Sequence, residues 1–227
     1  YSTFTCECGD SYVVTDKGSQ LTVGATVNGT RYETLTEAVE KATAGSTIEL
    51  VNNAIEETAI VVNKEITVNL NGYSIKMPND KMGNGIFHVV LGGKLTINGE
   101  GLLDAYSAYN GYCMAIWADG GEVIINGGTY TNVGAKDEGK NDQHDLIYVK
   151  NGGKLTITNS ILNNNLAKST YGYYSGGAIY CTGGNITLYN TTLNNNTAKY
   201  GGVLYVYSGN SDIINSTLNN NNATSNG

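Results

Sequence analysis

The sequence predicts an all-β chain that folds as a right-handed parallel β-helix, a solenoid of stacked rungs with a short N-terminal capping helix. Apolar and polar residues alternate from Ile48 onward, and this period of two is the period of a β-strand. Two short patterns recur along the 227 residues at intervals of 25–32 residues. Thirty glycines and a single proline are typical of many tight turns between such strands.

The first repeating pattern is a strand with two inward apolar residues, followed by Asn or Gly. Its inner apolar residues are Leu70, Ile97, Ile125, Ile157, Leu188 and Ile213. The segments that align in the second pattern are 85–88, 115–118, 146–149, 178–181 and 203–206. A weaker third segment contains Leu162, Leu193 and Leu218. One rung cannot bury its inner face alone, so stacked neighbours complete the core, and the crossover rule makes the turn right-handed.

The repeats begin after two other segments. Residues 1–22 show no clear period, and we interpret them as a linker or the tail of a preceding module. Residues 23–58 form an N-terminal cap with a hairpin turn at Asn28-Gly29 and a helix over 34–44, which begins with a Thr34–Glu37 capping box. This helix is expected to cover the open solenoid end. Residues 59–227 form the rungs, which we expect to continue beyond this fragment.

Composition excludes several partners. The formal net charge is −7 and Arg31 is the sole arginine, which argues against a nucleic-acid partner. The sequence contains no apolar run of membrane-spanning length, and it suggests no cofactor. The four cysteines are predicted to be unpaired or structural thiols; they are Cys6, Cys8, Cys113 and Cys181.

An outward column of aromatic side chains is the first candidate ligand site. Its predicted members are Phe87, Trp117, Tyr148, Tyr180 and Tyr205, each following an aliphatic residue that must face the core. Stacked rungs would place these rings about 4.8 Å apart. Such a stripe stacks on sugar rings or anchors a protein partner. The alternative is that the rings pack on one another and contribute only to stability.

Corner loops at 104–113, 133–145, 166–177 and 197–201 are the second candidate ligand site. The tyrosines they contain are Tyr106, Tyr109, Tyr112, Tyr171, Tyr173, Tyr174 and Tyr200. Insertions that collect at one edge of a solenoid commonly form its binding surface, and a composition rich in Tyr, Gly and Ser is typical of recognition loops. Solvated loops without a partner are the alternative.

An acidic insertion supplies weak candidates for a metal site or for catalysis. They are Asp137, Glu138, Asp142 and Asp145. Oxygen-rich loops bind calcium, and paired carboxylates hydrolyse glycosides. The spacing matches no strong metal motif, and a single insertion does not fix the separation of two carboxylates. We therefore predict neither a metal nor an enzyme.

Two further residue types have structural interpretations. Asparagines at or beside the rung corners are expected to satisfy backbone groups at the bends; they are Asn71, Asn98, Asn126, Asn159, Asn190 and Asn215. In the alignment above, His88 takes an inward position, so we expect a buried, hydrogen-bonded imidazole.

Part of the chain resembles polymorphic outer-membrane protein repeats. The resemblance rests on GGAI at 176–179 followed by LNNN at 193–196, and on GGVL at 201–204 followed by LNNN at 218–221. Those proteins alternate GGA[IVL] with FxxN in β-helical passenger domains; here leucine replaces phenylalanine.

Residues 32–73 also look like the capped start of large β-helical surface proteins of gut Gram-positive bacteria, and residues 5–12 resemble their short linking units. These resemblances imply a cell-surface location and an adhesive role. We therefore expect an extracellular adhesin or binding module for a host glycan or host protein. The alternatives are a carbohydrate-active enzyme and a structural stalk of a larger surface protein.

Overall fold

The computed structural model describes residues 23–77, 85–104, 114–130, 146–167 and 176–226, together with the backbone of two short strands near the N-terminus. These strands are β1 (Ser2–Thr5) and β2 (Ser11–Val14), which pair antiparallel. They lie in the segment for which the sequence showed no clear period. In the part of the chain described, no helix is both long and apolar enough to cross a membrane.

A hairpin, one helix and two short strands precede the rungs. They are β3 (Ala25–Val27), β4 (Thr30–Tyr32), α1 (Leu35–Lys41), β5 (Ser46–Leu50) and β6 (Ala54–Ile55). Strand β3 pairs antiparallel with both β4 and β5. Asn28 and Gly29 have φ angles of 50° and 81°, the left-handed backbone that a two-residue hairpin turn requires. The predicted hairpin is confirmed.

Helix α1 is shorter than the predicted 34–44, because Thr34 is its N-cap and Ala42 its C-cap. The Thr34 hydroxyl accepts a hydrogen bond from the Glu37 N–H at 3.1 Å, as in a capping box. The side chains that the helix buries in the solenoid core are Leu35, Ala38 and Val39. The helix is therefore part of the fold's hydrophobic core at the N-terminal end.

Two residues outside helix α1 form hydrogen bonds with groups at its two ends. Glu56 is 3% exposed, and its carboxylate accepts from the Leu35 N–H at 2.8 Å and from the Thr36 hydroxyl at 2.5 Å. The Lys64 ammonium donates to the Ala42 carbonyl at 2.5 Å. The sequence signals of a helix end are local, so neither residue was singled out by the sequence.

The remaining strands form the rungs. The first nine are β7 (Ile60–Val62), β8 (Glu65–Asn69), β9 (Ser74–Lys76), β10 (Phe87–Val90), β11 (Lys94–Asn98), β12 (Leu102–Asp104), β13 (Ile116–Asp119), β14 (Glu122–Asn126) and β15 (Thr129–Tyr130). The last nine are β16 (Ile147–Lys150), β17 (Lys154–Thr158), β18 (Ile161–Asn163), β19 (Ile179–Tyr189), β20 (Thr192–Asn194), β21 (Thr197–Tyr200), β22 (Leu204–Ile214), β23 (Thr217–Asn219) and β24 (Asn222–Asn226).

Each strand from β8 to β24 pairs in parallel with its equivalent in a neighbouring rung, which makes the chain a β-solenoid. The first face contains β7, β10, β13, β16 and the first halves of β19 and β22. The second face contains β8, β11, β14, β17 and the second halves of the same two strands. The third face contains short strands, among them β9, β12, β18, β20 and β23. The predicted fold class, a mostly-β solenoid of stacked parallel strands, is confirmed.

The predicted alignment of the second face is confirmed from Ile97 to Ile213 and wrong in one rung. Ile97 lies beside Ile125 and beside Val68, so the partner in the earlier rung is Val68 and not Leu70. The reason is that Asn71-Gly72 lies in the bend after β8, whereas Asn98 is the last residue of β11. The Asn-Gly pair marks a turn but does not fix the register.

The predicted alignment of the first face is wrong by one residue at β10. Phe87 pairs with Ile116 and is 0% exposed, so it is a core residue and does not face outward. His88 pairs with Trp117 and takes the outward position, contrary to the prediction that it is buried inward. Two consecutive residues, Ile86 and Phe87, are buried where the chain enters this strand. A shift of one residue exchanges the two faces of a strand.

The predicted role of the corner asparagines is confirmed at Asn71, whose amide donates to the Leu50 carbonyl at 3.1 Å, and the asparagines as a group occupy two different kinds of position. The four that lie in the bends with φ of 49–51° are Asn71, Asn159, Asn190 and Asn215. Asn98 and Asn126 instead end strands, and the Asn126 amide donates to the Asn98 side-chain oxygen at 3.0 Å. The Asn98 amide continues this outward ladder to Asn69 at 3.1 Å.

Candidate functional site

The first face carries a continuous outward column of rings, which we call the ring column. Its members are His88, Trp117, Tyr148, Tyr180 and Tyr205. Each is partly buried, while the residues on either side of it in the strand face the core or its rim. Four of the five predicted outward aromatic residues are therefore in the column, and His88 stands in place of Phe87.

The rings of the column stack on one another. The distances between the centroids of successive rings are 4.3 Å for His88–Trp117, 6.1 Å for Trp117–Tyr148, 5.1 Å for Tyr148–Tyr180 and 5.7 Å for Tyr180–Tyr205. The interplanar angles are 6–21°. Because the stacking direction is the solenoid axis, neighbouring rings cover each other's faces. The column therefore presents ring edges and hydroxyl groups outward, which differs from the open sugar-stacking faces that the sequence suggested.

A charged cluster surrounds the N-terminal end of the ring column. Asp119 lies 3.1 Å from His88 Nε2 and 3.5 Å from the Lys150 ammonium, and it accepts from the Asn151 amide at 2.6 Å. The Lys150 ammonium is 4.2 Å from the centroid of the Trp117 ring, a cation–π distance. Ion pair, stacking and cation–π contacts thus hold these side chains in one arrangement.

The electrostatics of this cluster favour an ionised carboxylate. Burial by itself would raise the pKa of Asp119, but hydrogen bonds from His88 and Asn151 and the charge of Lys150 together hold that pKa below its usual value of 3.8. Asp119 is therefore an anion throughout the neutral range, and it offers acceptor oxygens beside the Trp117 ring.

This lowered pKa predicts how stability changes in acid. Because the pKa of Asp119 is lower in the folded chain than in the unfolded one, its contribution is complete above about pH 5 and is lost as the pH falls through about 4 and below. We expect Asp119→Asn to reduce the acid-dependent fall of the urea midpoint over this range. Asp212→Asn, at an exposed carboxylate on the second face, is the control. Identical pH profiles for wild type and Asp119→Asn would contradict the proposed linkage.

Tyrosine hydroxyls and a second lysine flank the C-terminal part of the column. The Tyr148 hydroxyl lies 2.9 Å from the Thr182 hydroxyl. Tyr200, predicted in the 197–201 loop, instead ends strand β21, and its ring lies 5.9 Å from the Tyr205 ring at a 32° tilt. The Lys199 ammonium lies 5.1 Å from the Tyr200 centroid. One of the loop tyrosines therefore lies beside the C-terminal end of the ring column.

The other sequence-predicted site residues lie outside the described residues. They are Tyr106, Tyr109, Tyr112, Tyr171, Tyr173 and Tyr174, and the acidic residues Asp137, Glu138, Asp142 and Asp145. Binding by these tyrosines and metal or catalytic roles for these carboxylates therefore stay predictions. Within the described ranges, no group of three His, Cys, Asp or Glu side chains is placed to hold a metal.

One of the four cysteines lies among the described residues and three lie outside them. Cys181 is a free, buried thiol in strand β19, and its pKa is raised mainly by burial. Its core position on the first face gives it a structural role, as predicted for this residue. Cys6, Cys8 and Cys113 lie outside the described residues.

A groove continues the first face beyond the ring column. It has a volume of about 380 Å³ and lies between α1 and β7, where Val39, Glu40, Val61 and Lys64 line it. Val61 pairs with His88 and is 53% exposed. A long ligand on the column therefore has room to extend past His88 toward α1.

No protein-family model, curated protein or solved structure matches the chain. The resemblances described above therefore stay expectations, and the functional argument rests on the geometry of the ring column and the charged cluster.

Proposed function

We propose that the chain is a non-enzymatic binding module whose ligand docks along the ring column. The observation that carries this proposal is the continuous, partly exposed stack from His88 to Tyr205, with charged groups beside it. Aromatic side chains supply large contact areas at a low entropic cost, and partly exposed aromatic clusters with polar rims are typical of recognition surfaces. An extracellular, cell-surface location is part of the same proposal, and the resemblances support it.

A host glycan is the ligand class that we favour over a host protein. The column offers ring edges, tyrosine hydroxyls and the Asp119–Lys150 pair, which is a mixture of apolar and hydrogen-bonding groups that suits a polyhydroxylated chain. The strands repeat at about 4.8 Å, and neighbouring ring centroids lie 4.3–6.1 Å apart, so an extended ligand parallel to the solenoid axis contacts several rungs. The groove beyond Val61 lengthens this path.

A glycan array tests the proposal. We expect Tyr180→Ala and Tyr205→Ala each to weaken binding to the glycans recognised by the wild type by about tenfold or more, since each removes an anchoring ring worth about 1.4 kcal/mol. The controls are Thr156→Ala and Thr187→Ala, which change adjacent outward positions on the second face. If the column variants bind like the wild type while the control variants lose binding, the site is on the other face.

A structural stalk is the second candidate function, and the stacking favours it. Rings that cover each other's faces stabilise adjacent rungs, with each pair contributing about 0.5–1.5 kcal/mol beyond its buried area. For a stalk, the same two column substitutions lower the urea midpoint while no glycan or protein binds even to the wild type. The array and the unfolding curve together therefore separate the two functions.

A further inference from the structure

Eight asparagine–glycine pairs occur in the sequence, and five of them lie wholly among the described residues. Those five are Asn28-Gly29, Asn71-Gly72, Asn98-Gly99, Asn126-Gly127 and Asn151-Gly152. The pairs that begin at Asn84, Asn110 and Asn226 lie partly or wholly outside the described residues. An asparagine before glycine is prone to lose its side-chain amide in water without an enzyme, because glycine has no side chain to obstruct its own backbone nitrogen. The hydrogen bonds around each pair decide whether it is open to this reaction.

Deamidation is an intramolecular displacement followed by hydrolysis. The backbone nitrogen of the glycine forms a bond to the side-chain Cγ of the asparagine, the Cγ–Nδ2 bond breaks, and ammonia leaves with the proton that the glycine nitrogen loses. Water then opens the resulting succinimide ring at one of its carbonyl carbons. The product is aspartate or isoaspartate, and in isoaspartate the backbone passes through Cβ and Cγ. The first step therefore requires a glycine nitrogen and an asparagine side chain that are free to meet.

The glycine nitrogen is held in the four pairs that belong to the rungs. Its N–H donates to a backbone carbonyl of the next rung, at N–O distances of 2.5–3.0 Å. The donor and acceptor residues are Gly72 and Glu100, Gly99 and Asn126, Gly127 and Thr158, and Gly152 and Gly183. Attack of the nitrogen on Cγ would require this hydrogen bond to break.

The asparagine side chains of the same four pairs are held as well. Each side-chain amide donates to a side-chain oxygen of another residue at 2.6–3.1 Å. The donors and acceptors are Asn71 and Glu49, Asn98 and Asn69, Asn126 and Asn98, and Asn151 and Asp119. At least two hydrogen bonds must therefore break before any of these four asparagines reacts.

The Asn28-Gly29 pair differs on both counts. Both residues are exposed, and within the described ranges neither the Gly29 N–H nor the Asn28 side chain has a hydrogen-bond partner. The pair forms the turn between β3 and β4, and among the described strands β4 pairs with β3 alone. The turn can therefore rearrange by separating one short pair of strands, whereas each rung pair is held by the rung beside it.

We infer that Asn28 is a site of spontaneous deamidation, and that it reacts well ahead of the four rung asparagines. Isoaspartate at this position lengthens the backbone of a two-residue turn, whose φ angles of 50° and 81° suit a tight hairpin. The longer turn shifts the pairing of β3 with β4, and with it the Tyr32 carbonyl, which accepts from the Gly24 N–H at 3.0 Å. The N-terminal cap thus carries a modification that accumulates with time in water. This inference is independent of the ring column and of any ligand there.

Mass spectrometry of proteolytic peptides tests the inference. The purified chain is kept in mildly alkaline buffer made with heavy-oxygen water, so that each succinimide that hydrolyses is marked by the heavy isotope. We expect Asn28 to react faster than each rung asparagine by about tenfold or more, since tenfold corresponds to about 1.4 kcal/mol and each rung pair must first lose two hydrogen bonds. In guanidinium chloride, which unfolds the chain, the five pairs are expected to react at similar rates.

The variant Asn28→Asp separates the effect of the longer backbone from that of the new charge. Chromatography isolates the isoaspartate form from aged wild-type protein, and NMR follows the hydrogen exchange of the Gly24 N–H in both proteins. We expect faster exchange in the isoaspartate form and wild-type exchange in Asn28→Asp.

Two results would overturn the inference. One is a rate at Asn28 in the folded chain that is no higher than the rates of the rung pairs, since the free N–H and the free amide would then have no effect. The other is the same Gly24 N–H exchange in the isoaspartate form and in Asn28→Asp, because the longer backbone would then leave the hairpin unchanged.

Discussion

Replacing Phe87 by alanine is expected to lower the free energy of unfolding by about 3–5 kcal/mol, the usual cost of emptying a fully buried phenylalanine site. The Phe87 ring is 0% exposed and lies in the core column between Ile60 and Ile116. The cavity would open in β10, which is hydrogen-bonded on one side to β7 and on the other to β13 and therefore has little freedom to collapse. Urea unfolding of the purified variant measures the loss.

The neighbouring residue provides the control. His88→Ala removes an outward ring that is 17% exposed and keeps the core intact, so its effect is expected to be about 1–2 kcal/mol, from the lost stacking on Trp117 and the lost bond to Asp119. The alignment predicted from the sequence, with Phe87 outward and His88 inward, implies the reverse order of the two effects. A greater loss for His88→Ala than for Phe87→Ala would contradict the register of β10.

The second large effect is expected at Asn196. Asn196→Leu keeps a side chain of similar size but removes the oxygen that accepts two hydrogen bonds from Asn165, a residue that is itself 0% exposed. Leaving a buried donor without a partner costs about 1–3 kcal/mol. Asn196→Leu leaves the backbone N–H and the side-chain amide of Asn165 without this acceptor and also removes the bond to Asn221, so we expect the free energy of unfolding to fall by about 3–5 kcal/mol. The urea midpoint and the hydrogen exchange of the Asn165 N–H measure it.

Asn194→Leu is the matched control for that substitution. Asn194 lies two residues earlier in the same rung, in strand β20, and its side chain is only partly buried. We expect it to change stability by less than about 1 kcal/mol, as outward strand positions usually do. Equal losses for Asn194→Leu and Asn196→Leu would show that the buried hydrogen bonds of Asn196 with Asn165 and Asn221 add no more stability than an outward asparagine does.

The sequence predicts the fold well because the strands of successive rungs repeat the same alternation of apolar and polar residues. Ile97, Ile125 and Ile157 recur on the second face, and their alignment follows directly from apolar alternation. The hairpin at Asn28-Gly29 and the N-cap at Thr34 are local signals that need no tertiary information. These features account for the architecture of the described residues.

Bends are where the prediction fails, because a bend places consecutive residues on the same side. Ile86 and Phe87 are both buried at the entry to β10, so simple alternation assigns Phe87 to the wrong face. The three asparagines at 194–196 show the same problem. Asn194 lies in a strand, Asn195 has a φ of 55° and Asn196 is 0% exposed. Identical side chains thus take three different roles that only the path of the backbone distinguishes.

The ring column was partly predictable for a related reason. Alternation correctly turned Trp117, Tyr148 and Tyr180 outward, since each is the second residue of a strand that begins with a buried isoleucine. The sequence left open whether the rings stack on one another. It did not show that Asp119 and Lys150 join Trp117, because those contacts cross between rungs. The described geometry therefore shifts the proposed ligand contacts from ring faces to ring edges and their polar neighbours.

Trp117 is the only tryptophan of the chain, so its fluorescence reports the ring column directly. The most direct test of the proposed binding function is a titration of the wild-type protein with soluble forms of the glycans that it retains on an array, monitored by Trp117 emission. A ligand on the column is expected to change the emission intensity or wavelength saturably, at the concentrations that give array binding, and Tyr180→Ala should shift that curve about tenfold. Saturable binding detected by calorimetry with no change in Trp117 emission would contradict the account and place the ligand elsewhere on the solenoid.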